Sequence, residues 1–153
     1  MRLFLNRSKV LGSLLIPLLL VAPLLAHELL AHEIETSAAR DVAATFHIEP
    51  SHNPTAGKPS TAWFALTRRG GKVIPLAQCN CQLAVYAVPR KAGNAPLLKP
   101  TLNKLDVERY KGVPAATITF PKAGMYELKL TGTAKPGANF QPFSLSYTVT
   151  VGG

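Results

Sequence analysis

Phe143-Ser144-Leu145-Ser146-Tyr147-Thr148-Val149-Thr150-Val151 alternates apolar and hydroxyl-bearing residues without a break. Successive side chains of an extended strand point to opposite faces, so this segment has one apolar face and one wet face. A helix turns by about 100° per residue and would spread the same apolar residues around its circumference. The segment reads as a half-buried β-strand, of the kind found in antiparallel sheets that pack on one side only.

The same period recurs upstream. Tyr126, Leu128 and Leu130 share one face of residues 125–131, and shorter strands are expected over residues 82–88 and 116–120. Val42, Ala44, Phe46 and Ile48 alternate with Ala43, Thr45, His47 and Glu49, which puts His47 on the face away from the core. A strand over residues 60–67 carries Trp63, Phe64 and Leu66. Trp63, Phe64, Tyr126 and Phe143 are assigned to core packing. Pro54, Gly57 and Pro59 mark a turn cluster over residues 51–59. Gly70-Gly71 supplies the positive φ of a tight hairpin turn that returns through Val73 and Ile74, with Arg68, Arg69 and Lys72 forming a basic tip. From residue 89 to 115 the pattern breaks, because Pro89, Pro96, Pro100 and Pro114 interrupt any regular element. A long Pro-rich crossover is expected there, with one helical turn around residues 105–110. The sum is an all-β chain, an antiparallel β-sandwich of about seven short strands.

The N-terminus carries a different signal. Arg2, Arg7 and Lys9 precede an uncharged apolar run over residues 10–26, and then come Ala26-His27-Glu28 and Ala31-His32-Glu33. This is the layout of a signal peptide helix, with a positive start, an apolar middle and Ala at two cleavage positions. The run is at the short edge of what spans a bilayer and contains Gly12, Pro17 and Pro23, so cleavage is expected rather than anchoring. The cut falls after Ala26 or Ala31, and either cut makes a His the first mature residue. Residues 1–31 are then the signal and residues 32–153 a single exported domain, periplasmic or extracellular. The whole chain has a formal net charge of +9, from 17 basic and eight acidic residues. The cut after Ala26 removes three basic residues and no acidic one, leaving +6; the cut after Ala31 also removes Glu28, leaving +7. Outside the cytosol such a charge excludes nucleic acid as the natural partner. It suits an anionic membrane surface, an acidic polysaccharide or an acidic envelope protein partner, and it also confers solubility.

Ala123-Gly124-Met125-Tyr126-Glu127-Leu128 resembles the entry to a late strand of immunoglobulin-like domains, where the Tyr forms a corner. Leu128 stands where such domains carry their second intersheet Cys. With the signal segment and the final alternating strand, residues 40–151 resemble small exported bacterial sandwich proteins of the YtkA-like, FixH-like and CopC-like kind. The resemblance implies an immunoglobulin-like fold and an envelope location, with relatives that handle copper or assist membrane-complex assembly. It also implies that a mature N-terminal His can chelate copper through its α-amine and imidazole together.

Four His and two Cys carry the site chemistry. Cys79-Asn80-Cys81 puts two sulfurs on one side of a strand, with Cα atoms about 6.6 Å apart, the outer edge of disulfide geometry. Three readings stand: a reducible disulfide, a soft thiolate pair for Cu(I) or Zn, or no site role. His32 (or His27), His47 and His52 are the candidate imidazole ligands, with Glu33 or Glu49 to orient them. Together with Cys79 and Cys81 they form the candidate metal set, and copper is the cofactor they suit. His27-Glu28-Leu29-Leu30-Ala31-His32 resembles the zinc-protease helix motif but has one residue too many, which turns the two imidazoles about 140° apart. No nucleophile elbow, phosphate loop, dinucleotide fingerprint or carboxylate pair is present, so no catalytic residue is assigned and an enzyme is not expected. Three functions remain: a non-enzymatic exported binding or assembly module, a copper-binding or copper-delivery protein, and a thiol-redox protein using Cys79 and Cys81. The intact mass of the secreted chain tests the processing: a first residue of His27 or His32 is expected, and a mass retaining residues 1–26 contradicts it.

Overall fold

The final strand is as the alternation predicts, and it packs against a second sheet built on the same pattern. The computed structural model describes residues 33–153. The signal segment, both expected cuts, His27 and His32 lie outside the described residues. Nine strands follow one another: β1 (Glu33–Thr36), β2 (Val42–Glu49), β3 (Pro59–Arg68), β4 (Lys72–Val73), β5 (Cys79–Val88), β6 (Asn103–Val107), β7 (Tyr110–Thr119), β8 (Gly124–Ala134) and β9 (Phe143–Val151). One sheet runs β1-β2-β3-β7-β6, with β4 paired to β3, and the other runs β5-β8-β9. All pairings within the sheets are antiparallel. The series β2-β3-β7-β6 facing β5-β8-β9 is the four-on-three strand order of a constant-type immunoglobulin sandwich, with β1 and β4 added.

The core lies between the sheets. Val42, Ala44, Phe46 and Ile48 of β2 and Ala62, Phe64 and Leu66 of β3 meet Leu128 and Leu130 of β8 and the inner face of β9. Aromatic rings join the layers: Tyr147 stacks on Phe46 with centroids 4.8 Å apart and lies 5.7 Å from Phe64. The Tyr147 hydroxyl donates to the Ala44 carbonyl at 3.4 Å, so the buried phenol keeps a polar partner. Burial pushes its ionisation up, with a further rise from Glu35 and Glu33. At the other end Tyr126 packs 4.9 Å from Phe120 and donates its hydroxyl to the Lys122 carbonyl at 2.8 Å, forming the expected corner.

Three stretches depart from the sequence reading. The helical turn expected at residues 105–110 is instead a β-hairpin, β6 to β7. Its turn rests on Glu108, whose φ is +50°, and on Asp106, whose Oδ1 accepts the Gly112 N–H at 2.7 Å. Pro114 is accommodated in β7 because the ladder to β3 ends at the Trp63–Ala115 pair. The crossover therefore ends near residue 102 rather than 115. Strand β1 and the first turn of β5, which begins at Cys79 rather than at Gln82, were also not expected.

The hairpin has a structural consequence. Trp63 and Ala65 point away from the main core, yet both are buried, because Val113 and Ala115 sit beside them and Leu105, Val107 and Tyr110 pack around them. The outer face of the large sheet thus carries a second, smaller apolar cluster. Tyr126→Phe removes the corner hydrogen bond without changing the ring, and should lower unfolding stability by about 1 kcal/mol in a denaturant titration. An unchanged midpoint would show that the corner contributes nothing.

Candidate functional site

The outer face of β2 carries His47 and Glu49 because its inner face is committed to the core. The β2–β3 register sets His47 across from Trp63, and the two rings stack at 4.9 Å with planes 20° apart. Glu49 Oε1 accepts the Trp63 Nε1–H at 3.4 Å and lies 3.9 Å from His47 Nε2. One carboxylate oxygen therefore fixes the indole and stands beside the imidazole, an arrangement that orients a histidine ring.

The turn after β2 then folds back. Ser51 Oγ accepts the Asn53 N–H at 3.1 Å, and the chain carries His52 over His47 with ring centroids 4.6 Å apart, edge to face. His52 Nε2 is buried and has no hydrogen-bond partner among the described residues. A buried polar nitrogen without a partner is costly, and each such group in a folded protein needs a reason. Glu33 opens β1 as the register partner of Phe46, one step from His47. Its carboxyl is held above the usual carboxylate range by burial and by Glu35, and the nearby His52 offsets part of that rise.

The sequence reading had grouped five residues. His47 and His52 do meet, and Glu49 stands beside His47, whereas Glu33 pairs with Phe46 and so shares the inner face rather than that of His47. Cys79 and Cys81 belong to the other sheet and are joined in a disulfide, with Cα atoms 5.1 Å apart. Among the described residues no group of three or more His, Cys, Asp or Glu could hold a metal ion. The disulfide is also inaccessible on one side. Cys79 is fully buried, and a Cβ added at Gly132 would lie 2.5 Å from the Phe143 ring and 2.7 Å from Cys79 Sγ. Gly132 is thus the gap into which the disulfide and Phe143 pack. Stacking of Trp63 under His47 is the element the sequence reading misses: it assigns Trp63 to core packing and His47 to the face away from the core, whereas the two rings meet on the outer face.

No family model, curated protein or solved structure matches this chain. Among the described residues no helix is long and apolar enough to cross a membrane. The chemistry of the His47–His52 end is therefore what bears on function. Because folding holds the Glu33 carboxyl above its ordinary range and so favours its protonated form, its contribution stabilises the folded state below the ordinary carboxyl range and is lost as pH rises through the raised value. Glu33→Gln should accordingly raise the thermal midpoint at pH 7 and leave it unchanged near pH 3; the reverse pattern would contradict the assignment.

Proposed function

We propose that this protein is an exported, non-enzymatic binding module whose ligand is a copper ion, held where β1 and β2 meet by His47 and His52 together with a mature N-terminal His32. The observation that carries this reading is the buried, unpartnered Nε2 of His52 beside the His47 ring. Ring centres 4.6 Å apart are close enough for two imidazoles to share one ion at the ~2 Å typical of metal–nitrogen bonds. Imidazole donors suit copper, and a carboxylate such as Glu49 beside a ligating ring raises its basicity and fixes its tautomer. A third ligand is needed, and His32, which lies outside the described residues, is the candidate that the expected cut after Ala31 supplies. Cleavage after Ala31 would free the His32 α-amine, so that this amine, the His32 ring and the His47 and His52 rings offer four nitrogen donors in all.

A thiol-redox role has less support. Its active pair would be a disulfide whose Cys79 is buried, so that an attacking thiolate could reach only the partly buried Cys81 from the groove side. An envelope protein partner is compatible with the copper reading, since a delivery protein must meet its acceptor.

The test is a Cu(II) titration of the secreted, processed chain by calorimetry. One ion per chain, bound more tightly than about 1 μM, is expected, with His47→Ala and His52→Ala each weakening binding by about a hundredfold. One residue added before His32 should weaken it as well. Binding no tighter than micromolar, or binding indifferent to both His substitutions, would remove the proposal.

A further inference from the structure

The small sheet offers a second surface, independent of the histidine end. Strand β5 is its edge, since the sheet runs β5-β8-β9. In an antiparallel ladder alternate residues bond to the neighbour and the others turn their N–H and C=O outward. The outward set in β5 is fixed by Val85, whose N–H donates to the Leu98 carbonyl at 2.9 Å and whose carbonyl accepts the Leu97 N–H at 2.8 Å. The β5–β8 register runs unbroken from Cys79 to Val88, so Cys81 and Leu83 point the same way as Val85. Neither has a backbone partner on that side among the described residues. The crossover has thus begun to add itself to the edge at Val85 and then leaves it.

What it leaves is a groove of about 960 Å³ between β5 and residues 96–102. Its wall is anchored, because Leu98 and Leu102 pack against the core. Lys99, Lys129 and Lys135 border it, and among the described residues no carboxylate lines it. Exposed strand edges are ordinarily blunted, because they template pairing with another chain. Here the edge is open, walled and ringed with positive charge.

We propose that this groove binds an extended acidic peptide segment of a partner protein, which adds as a strand to β5 at Cys81 and Leu83. Main-chain hydrogen bonds to those two residues supply the pairing, and alternate acidic side chains reach the three lysines, as in other strand-addition modes. The remaining side chains of the segment face the partly buried Leu102 and the disulfide, so β-branched residues fit there.

An octapeptide of alternating Glu and Val is the probe, added to the full secreted chain at low ionic strength. Fluorescence anisotropy should show binding that the alternating Lys-Val peptide lacks, and the combined Lys99→Glu and Lys129→Glu changes should weaken it about tenfold. Hydrogen exchange at the Cys81 and Leu83 amides should slow by about tenfold or more on binding. The Glu-Val peptide N-methylated at alternate residues cannot pair and should not bind. No binding, binding without protection at those two amides, or equal affinity for the N-methylated peptide or for polygalacturonate would overturn the proposal.

Discussion

Everything in this structure depends on the register of β2 against β3. Phe46 faces Phe64 and His47 faces Trp63 in the same ladder. A slip of one residue would turn Val42, Ala44, Phe46 and Ile48 out of the core and drive His47 and Glu49 into it. The constraint that builds the core therefore also aims the histidine. Core formation enforces it strongly, since those inner residues are each at most 2% exposed and full burial of a large apolar side chain contributes about 1.5–3 kcal/mol.

The outer face of the large sheet is less ordinary than the inner one. In a sandwich that face is usually left to water, yet Trp63 is completely buried on it. The β6–β7 hairpin curls beside the indole, with Tyr110 6.2 Å away, and His47 covers the other flank. His47 is thus held by packing as well as by Glu49, and stands at the boundary between an apolar patch and solvent. A ligating ring fixed in this way loses little freedom when it binds, which is the kind of preorganisation that a binding site needs.

Much of this architecture is legible in the chain, and the failures have definite causes. Strong alternation marks β2, β8 and β9, because each has one buried and one solvated face. The tyrosine corner is readable from Gly124 and Tyr126. The β6–β7 hairpin is hidden because Pro100 and Pro114 flank it and Asp106, Glu108 and Arg109 crowd its turn, so the apolar Leu105, Val107 and Val113 do not stand out. Strand β1 is hidden because it is an edge, with Glu33 and Glu35 on one side and the exposed Ile34 on the other. His47 was placed on the correct face by parity alone. Its meeting with His52 was not derivable, because that depends on how the turn after β2 folds back.

The two candidate surfaces lie on different sheets and make different chemical demands, imidazole nitrogen at one and an open strand edge at the other. The disulfide, which the sequence offered as a third site, is absorbed into packing through Gly132 and Phe143. The central claim is that the histidine end holds the ion. Anomalous diffraction at the copper absorption edge, from crystals of the processed chain grown with one equivalent of copper, tests this directly. A single peak within bonding distance of the His47 and His52 rings is the predicted result. A peak at Cys79 and Cys81, or none near the two histidines, would contradict it.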